Sequence, residues 1–554
     1  MKHDPRWTLL LLITALIACG GTDQKIQKQL PNSLFIFKAN VKGLVGDLVL
    51  SNNGKNNIAI AKDGTTTFPI SWNQDGIYEI KVMEEPCDQR CTIDQPRGQI
   101  STRGSVVLNI VCEAKRWDIP TSQDDSMSMS YSEASNPSLA MNRYGDTLLS
   151  WYQSDSYNQH LYQREFINRT WTHPNSIVDH YSIAGSDSVT MSLALDDQGD
   201  SSIAWQQLDG NGFRSNFIGN KIDSVWTFPT SAFNLGGLTA SADTPLVRTN
   251  SLGEKIMVWS QTVGSVDKLF KVEFKNGQWT FPNDINARIS VDGTTVGSYD
   301  VAINDIGEMI IVWNQKMDPS DPNSEYQLFK TMYRPATGWE PVTDLNSNFS
   351  PSGTSSLFPR VAINNLGDVY IVWHQYDSPT SSHYYKIYLS ESHDHGNTWN
   401  NPSLSSALSV AGKHGVYARI AVNDQRKVVV GYSVKTLTSD PYQMYSRQKV
   451  AGGSWTSPQR LSVSDFATTQ SRMVLDMDEV GNVIFAWTSG GNGAVYKAEQ
   501  RNGIWVLADQ ASPINTESTI ENSPSVVANN CRSTIAWQQE NTVGQKQIYI
   551  RQYR

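Results

Sequence analysis

The chain has 554 residues, 39% of them hydrophobic and 18% charged, and its formal net charge at pH 7 is -9. This length and apolar content suffice for more than one hydrophobic core and exclude a disordered composition. The chain is acidic and has no basic stretch that could follow a phosphate backbone, which argues against nucleic acid as a partner.

The N-terminus has the pattern of a targeting segment. Lys2 and Arg6 supply positive charge before an apolar run at 9–16. That run is too short to span a bilayer, as is usual for a signal peptide. Residues 16–19, Leu-Ile-Ala-Cys, resemble the lipobox of bacterial lipoproteins.

This resemblance implies that residues 1–18 are a signal peptide and that Cys19 becomes the lipidated N-terminus of the mature protein. Several acyl chains bury many methylenes at about 0.8 kcal/mol each, so they would form a firm membrane anchor. Gly20 stands where an aspartate would suggest retention in the inner membrane, so the resemblance favours the outer membrane. Residues 19–32 then form a polar tether. The alternative is an ordinary secretory signal in which Cys19 is incidental.

Residues 33–113 carry the strand and turn signals of a small β-sandwich. Short β-branched and aromatic runs are separated by turns that contain Asn, Asp and Gly. The stretches 43–46, 52–54, 89–92 and 111–112 resemble Ig-like modules of bacterial surface proteins. An Ig-like sandwich is therefore the expected first module.

Four cysteines remain after the lipobox, and an exported chain can oxidise them. Four cysteines allow three connectivities, and their spacing alone does not select one. The Ig-like resemblance implies a disulfide between Cys91 and Cys112. Cys87 is then left to pair with Cys531 or to stay free.

Fifteen of the seventeen tryptophans fall into two interleaved series with steps of 50 to 60 residues. A fixed period of this size predicts a propeller or a solenoid. The first series ends a strand: Trp151, Trp205, Trp259, Trp313, Trp373, Trp487 and Trp537, with Tyr432 in the vacant place. The second series opens a strand: Trp117, Trp171, Trp226, Trp279, Trp339, Trp399, Trp455 and Trp505.

The repeat unit of residues 114–554 is clearest at 359–375. An alternating strand, an Asn-x-x-Gly hairpin and a β-branched strand ending in Trp are followed by a loop and two further strands. About eight units fill the region. The region begins with a single strand at Trp117 that corresponds to the fourth strand of a repeat, and it stops after a strand that corresponds to the third. The first strand can complete the last blade and so remove the open edges. The sequence predicts an all-β protein, an eight-bladed β-propeller with four-stranded blades preceded by a small β-sandwich.

One turn matches the Asp-box of sialidase-like (BNR-repeat) propellers, S-x-D-x-G-x-T-W. Its matching residues are Ser392, Asp394, Gly396, Thr398 and Trp399. The resemblance implies that the aspartate caps its own turn and that the tryptophan packs between blades. The motif is then structural and does not indicate catalysis.

Strand direction alternates within a blade, so its four connections divide between two faces. The connections on one face are short and contain Gly, whereas those on the other are long and irregular, at 179–190, 286–298, 316–325, 346–357 and 376–383. Loops on a rigid scaffold often carry function. This long-loop face is the candidate binding face for a protein or a glycan, and the alternative is surface drift without any ligand.

Arg360, Arg419 and Arg472 occupy about the same place in three consecutive repeats, near the axis of the predicted propeller. Asp300 holds this place in the preceding repeat, and Tyr417 lies two residues before Arg419. Three guanidinium groups around one funnel would suit a carboxylate or phosphate, and sialidases also hold a carboxylate with three arginines. The alternative is that each arginine pairs with a neighbouring acid such as Asp300 or extends into solvent.

The chain departs from sialidases, which have six blades, and no tyrosine nucleophile or acid partner can be assigned, so catalytic residues stay unassigned. Acidic turns at 196–200 and 304–308 follow from hairpin chemistry, and neither a metal nor a cofactor is expected. Two functions remain. The favoured hypothesis is a non-catalytic, membrane-anchored scaffold that binds a protein or glycan; the alternative is a sialidase-like hydrolase acting on anionic glycans.

Overall fold

The computed structural model of the protein is built from β-strands. It describes residues 34–52, 55–71, 77–99, 106–118, 120, 125–130, 132–167, 169–172, 176, 179–183, 186–209, 212–229, 241–282, 284–321, 323–378, 384–437, 440–462, 473–489, 493–509, 513–515 and 524–554. Two one-turn 3₁₀ helices, Ile285–Ala287 and Leu345–Ser347, interrupt the strands. Within these ranges no helix is long and apolar enough to cross a membrane. The all-β prediction is confirmed.

Two four-stranded sheets form a sandwich at the N-terminal side. Their strands are β1 (Leu34–Lys42), β2 (Leu48–Asn52), β3 (Lys55–Ile60), β4 (Gly64–Ser71), β5 (Ile77–Glu84), β6 (Gln89–Ile93), β7 (Arg97–Gln99) and β8 (Val106–Ala114). The sheet orders are β4-β1-β8-β6 and β3-β2-β5-β7, and β1 runs parallel to β8. Alternate residues of β8 are buried, among them Leu108 and Ile110, as a strand with one face on a core requires. A disulfide joins Cys91 to Cys112 across β6 and β8, the pair that the Ig-like resemblance implies.

The described part of the chain from residue 134 onward holds eight antiparallel sheets, each made of consecutive strands. The first two contain β9 (Ala134–Met141), β10 (Thr147–Ser154), β11 (Gln159–Ile167) and β12 (Thr170–Trp171), then β13 (Ser188–Leu195), β14 (Ser201–Leu208), β15 (Arg214–Ile222) and β16 (Val225–Thr227). The next two contain β17 (Leu246–Thr249), β18 (Lys255–Val263), β19 (Val266–Lys275) and β20 (Gln278–Thr280), then β21 (Val296–Ile303), β22 (Met309–Lys316), β23 (Tyr326–Arg334) and β24 (Gly338–Trp339). The fifth and sixth contain β25 (Ser356–Ile363), β26 (Val369–Tyr376) and β27 (Tyr385–Ser392), then β28 (His414–Val422), β29 (Val428–Lys435), β30 (Gln443–Lys449) and β31 (Gln459–Arg460). The last two contain β32 (Met473–Met477), β33 (Val483–Thr488), β34 (Val495–Arg501) and β35 (Ile504–Val506), then β36 (Ser525–Asn529), β37 (Arg532–Glu540) and β38 (Lys546–Tyr553).

Each tryptophan of the first series packs on an aromatic ring of the third strand in its own sheet. Trp205 stacks on Phe217 with ring centroids 5.7 Å apart, and Trp313 stacks on Phe329 at 5.9 Å. These tryptophans are fully buried. A large ring at this point anchors the second strand to the third, which explains why the tryptophan recurs with the period of the sheets.

The eight sheets are arranged around a common axis, with the first strand of each sheet innermost. Each first strand contacts the first strand of the next sheet, and β36 contacts β9. The first hairpins of all eight sheets line one cavity of about 350 Å³. Asparagine side chains join these hairpins: Asn250 donates to the carbonyl of Asn304 at 3.1 Å, and Asn304 donates to that of Asn364 at 3.0 Å. The arrangement is propeller-like.

The two ends of the repeat region meet. Trp117 pairs antiparallel with Tyr553 of β38, and the amide of Asp118 donates to the carbonyl of Gln552 at 2.8 Å. The indole of Trp117 also donates to Glu499 at 2.9 Å. The first segment of the region is therefore held against the last strand.

At two of the tryptophans predicted to open a fourth strand, Trp399 and Trp455, the structure has no strand. Trp399 lies outside the strands, although the next residue, Asn400, keeps an isolated antiparallel bridge to Glu391. The indole of Trp399 donates to the carbonyl of Gly396 in its own turn at 2.8 Å.

Trp455 also lies outside a strand, and β31 begins only at Gln459. The guanidinium of Arg447 donates hydrogen bonds to backbone carbonyls beside Trp455, including that of Trp455 itself at 3.5 Å. At Thr456 the carbonyl accepts from Nε of Arg447 at 2.6 Å, and the N–H of Gln448 donates to the Thr456 hydroxyl instead of to that carbonyl.

The sandwich sits on the face formed by the turns that join first to second and third to fourth strands, called here the hairpin face. Glu85 accepts hydrogen bonds from Arg169 of the first sheet at 2.9 Å and from Arg532 of the last sheet at 3.1 Å. A disulfide joins Cys87 to Cys531, which resolves the pairing that the sequence left open. The sandwich thus bridges the first and last sheets, and the long-loop face lies on the opposite side.

Candidate functional site

A β-bulge interrupts the pairing of the first two strands in the sheets that begin with β25 and β28. The register shifts just before Arg360 and just before Arg419. Inside these bulges Phe358 has a φ of 52° and Tyr417 a φ of 55°. Bulky residues rarely adopt positive φ, and such strain persists only where the surroundings impose it, often at binding sites. Bulges also re-aim side chains, and here both bulges place an aromatic ring at corresponding positions of adjacent sheets.

The two rings belong to an aromatic cluster. The centroids of Phe358 and Tyr417 are 5.5 Å apart, and each lies within 5.5 Å of the buried ring of His374. Tyr385 packs edge-on against His374 at 5.1 Å from the other side. Phe358 remains 40% exposed, which is high for a ring held in such a cluster. The cluster therefore presents an apolar surface to solvent.

His374 fixes this surface without taking part in proton exchange. Its Nδ1 accepts the backbone N–H of Tyr417 at 3.3 Å, so that nitrogen carries no proton. Burial lowers the pKa of His374 to about 3. The imidazole is therefore neutral at any physiological pH, and it serves as an acceptor that holds the bulge in place.

Arginine side chains of the innermost strands lie next to these bulges and bond to the backbone of their own strands. Arg360 donates through Nη1 to the carbonyl of Pro359 at 2.9 Å, and Arg419 donates to that of Ala418 at 3.1 Å. These carbonyls belong to the edge of the first strand that has no second strand beside it, and this edge faces the axis. Each guanidinium is thereby held at the axis, and the remaining N–H groups of Arg360 can reach a ligand there.

Arg248 of β17 has the same geometry, because its Nη1 donates to the preceding carbonyl, that of Val247, at 2.9 Å. Its Nη2 lies 3.5 Å from a carboxylate oxygen of Asp300. The other oxygen of Asp300 accepts the N–H of Val361 at 3.1 Å. Asp300 therefore links three consecutive inner strands, β17, β21 and β25, and its ion pair goes to Arg248.

The structure places Asp300, Arg360, Tyr417 and Arg419 on three inner strands that contact one another in sequence, β21, β25 and β28. For Arg360, no carboxylate lies within 4 Å among the described residues. Arg472, the third arginine of the predicted set, falls outside the described residues. Together with Arg248, Phe358 and His374, the four placed residues form what we call the axial site.

The sequence analysis did not identify Arg248, Phe358 and His374. Arg248 lies two residues later in its strand than Arg360 does, at the position that Ala362 holds, so alignment of the repeats hides it. Phe358 precedes a proline and gives no sign of positive φ. One signal was available: Phe358 and Tyr417 both lie two residues before an arginine of the predicted set.

Glutamines that lie two residues after the buried tryptophans of the second strands hold the long loops in place. In the fourth sheet the indole of Trp313 donates to Gln315 at 3.1 Å, and the Gln315 amide donates to the carbonyl of Val291 in the preceding loop at 2.7 Å. The same arrangement recurs at Gln153, Gln207 and Gln375. These glutamines are therefore structural, and each one ties a loop to the second strand of its sheet.

The turn at residues 392–399, where the sequence predicts an Asp-box, is closed by its own side chains. Asp394 accepts hydrogen bonds from the hydroxyl of Ser392 and from the backbone of Thr398, both at 2.8 Å. The network of this carboxylate holds the pKa of Asp394 at about 2, with the Thr398 hydroxyl as the largest cause. All of these contacts lie within the turn, on the hairpin face and away from the axial site.

No family model matches the chain, and no curated protein matches it. A protein of unknown function from Dyadobacter fermentans DSM 18053 is 11% identical over 79% of this chain and 99% of its own, with a TM-score of 0.36. An ulvan lyase of polysaccharide lyase family PL25 is 9% identical over 77% and 94%, with a TM-score of 0.40. The fucose-specific lectin from Aleuria aurantia is 13% identical over 70% and 99%, with a TM-score of 0.31. Likenesses this distant assign no ligand or reaction to the chain.

Proposed function

We propose that the eight sheets are the blades of one closed propeller over residues 114–554, with the Trp117 segment as the missing strand of the last blade. Two observations support this count. The contacts between first strands return from β36 to β9, and one axial cavity is lined by hairpins of every sheet. Residues 33–113 form the Ig-like module, and residues 1–18 and 19–32 are the signal peptide and the tether of a lipoprotein.

The proposed function of the propeller is to bind a glycan, non-catalytically, at the axial site of its long-loop face. The observation that carries the proposal is the pairing of exposed aromatic surface with guanidinium groups. The apolar face of a sugar ring can pack on Phe358 and Tyr417. Arg360 can donate paired hydrogen bonds to a carboxylate or sulfate of the same sugar, and the positive charge of Arg419 adds to the attraction. A ligand that offers both features is an anionic glycan.

The chemistry of the site favours binding over catalysis. Glycoside hydrolysis requires two poised carboxyl groups or a tyrosine nucleophile with an acid partner. Asp300, the carboxylate of the axial site, is held by Arg248 and by the N–H of Val361. Burial, together with Tyr376, raises the pKa of the Tyr385 phenol, so it remains protonated and is a poor nucleophile. His374 is neutral and buried.

The alternative is a sialidase-like hydrolase acting on anionic glycans. The observation in its favour is the row of arginines at one axis; the Asp-box turn at residues 392–399 adds only the resemblance to sialidase-like propellers. An enzyme of this kind turns over its ligand, whereas a binding scaffold does not. The two functions therefore differ in a direct assay.

The test is a glycan array combined with a fluorogenic sialoside assay on the wild type and on the double variant Arg360→Ala, Arg419→Ala. Charge-assisted hydrogen bonds contribute roughly 1.5–3 kcal/mol each, so the double variant should bind anionic glycans at least tenfold more weakly. The matched control is Arg143→Ala, Arg426→Ala, which removes two ion-paired arginines from the hairpin face. Turnover by the wild type that is lost in Arg360→Ala, Arg419→Ala would contradict the binding hypothesis and support the hydrolase hypothesis. Binding of no glycan leaves a protein ligand.

The proposed location is the outer membrane, through lipid on Cys19. The support is the lipobox-like sequence at residues 16–19. Metabolic labelling with an acyl precursor should mark the wild type, and Cys19→Ala should abolish the label and release the protein from the membrane fraction. An unlabelled wild type would contradict lipidation.

A further inference from the structure

A cavity of about 660 Å³ lies where the β-sandwich meets the first and last sheets, on the hairpin face and away from the axial site. The sandwich contributes residues of β5 and β6. The first sheet contributes residues around its two hairpin turns, and the last sheet contributes residues of β37 and β38. Small-molecule sites commonly have volumes of about 300–1,000 Å³ and often lie between domains.

The walls of this joint cavity are fixed before any ligand arrives. The carboxylate of Glu85 takes hydrogen bonds from Arg169 and Arg532, which come from different sheets. The disulfide between Cys87 and Cys531 ties the sandwich covalently to the last sheet beside it. A preformed cavity saves a ligand the cost of ordering its site.

Much of the lining is apolar. Ile80, Val82 and Ile93 come from the sandwich, where they also pack in its hydrophobic core, and Met141 and Phe166 come from the first sheet. Ile80 and Phe166 are buried. Such side chains favour the aliphatic or aromatic body of a ligand over a sugar or another strongly hydrated molecule.

The lining carries more cationic than acidic side chains: Lys81, Arg90, Arg97, Arg169, Arg532 and Arg554 against Glu79, Glu85 and Asp146. Arg90 lines the cavity, and no carboxylate lies within 4 Å of it among the described residues. Among the described residues, Glu85 is the one carboxylate within 4 Å of three buried or half-buried cations, Lys115, Arg169 and Arg532. Burial is the main cause that lowers the pKa of Arg169, and Arg532 and Arg90 lower it further against the pull of Glu85. An anion placed here would relieve this repulsion.

We propose that the joint cavity binds an amphipathic anion, with its apolar body against β5, β6 and Phe166 and its acidic group on Arg90. The acidic group is a carboxylate, a sulfate or a phosphate, since the guanidinium fork accepts all three. The site is independent of the axial site and of the glycan proposal, because the two share no residue.

Isothermal titration calorimetry on the full chain tests the site. The probes share a ten-carbon chain: decanoate and decyl sulfate as anions, decanol as the neutral compound and decyltrimethylammonium as the cation, each below its critical micelle concentration. We expect both anions to bind and the cation not to bind. Arg90→Gln should weaken anion binding by about tenfold or more, as the loss of a charge-assisted bond predicts.

Arg143→Gln is the matched control, because it removes one exposed, ion-paired guanidinium from the hairpin face at a point outside the cavity. It should leave anion binding unchanged. Equal binding of decanol and decanoate overturns the anion site, as does unchanged binding in Arg90→Gln. Failure of every probe to bind also overturns it. A preference between decanoate and decyl sulfate, with both lost in Arg90→Gln, supports the site and identifies the acidic group.

Discussion

Replacement of Glu85 by glutamine should loosen the joint between the sandwich and the two end sheets. The side chain of Glu85 is 3% exposed and lies 2.9 Å from Arg169, 3.1 Å from Arg532 and 3.5 Å from Lys115. Removal of one partner from a buried ion pair costs about 3–5 kcal/mol, because the remaining charge stays buried without compensation. Arg169 also donates to the carbonyl of Cys91 at 2.6 Å, so part of its hydrogen bonding survives. We therefore expect a loss of about 3 kcal/mol in the free energy of unfolding.

This loss should depend on pH in a defined direction. Burial opposes ionisation of Glu85, but Arg532, Arg169 and Lys115 outweigh it and hold its pKa below the usual value. A depressed pKa contributes stability above the pKa of the unfolded chain, and that stability is lost as the pH falls through the folded pKa. The difference between wild type and Glu85→Gln should thus be full at pH 7 and shrink in acid.

Urea denaturation at pH 7 and at acidic pH measures both effects. The matched control is Glu79→Gln on β5, the strand that ends just before Glu85, since Glu79 pairs with Lys81 and Arg97 at the surface and should lose at most about 1 kcal/mol. A Glu85→Gln protein as stable as the control at pH 7 would refute the role assigned to Glu85. A loss that is equally large in acid would refute its electrostatic origin.

Two further predictions concern buried polar groups. The folded pKa of His374, about 3, lies below the unfolded value near 6.5, so the wild type should lose about 2 kcal/mol of unfolding free energy between pH 7 and pH 5 through this group. His374→Gln should remove this part of the pH dependence, and unfolding curves of both proteins at the two pH values check it. Gln315→Ala should lower the free energy of unfolding by about 1–3 kcal/mol, since it leaves the buried indole N–H of Trp313 without its acceptor. The exposed Gln278→Ala is its control, and equal losses in the two variants would refute the structural role of Gln315.

The repeat of sheets could be predicted from the sequence because each tryptophan has one packing partner at a fixed distance along the chain. Trp313 must meet Phe329 on the neighbouring strand, and this requirement returns in every sheet. The exceptions were not predictable in the same way. At Trp399 the indole bonds to its own turn, and that bond depends on the turn conformation rather than on the period.

The axial site could be predicted in part. Asp300, Arg360 and Arg419 share a position in the repeat, and shared positions become neighbours when sheets surround an axis. The partner of Asp300 could not be found this way, because Arg248 reaches it from another position in its strand. The positive φ of Phe358 is likewise set by tertiary contacts and not by its neighbours in sequence.

The parallel pairing of β1 with β8 determines where the chain enters the molecule. β8 ends at Ala114, next to the hairpin face, so β1 must begin at the far pole of the sandwich. A strand of nine residues spans about 30 Å, which sets the height of this pedestal. For a protein held by lipid on Cys19, the pedestal would stand between the bilayer and the propeller. The long-loop face would then point away from the membrane, open to polymers too large to approach the lipid surface.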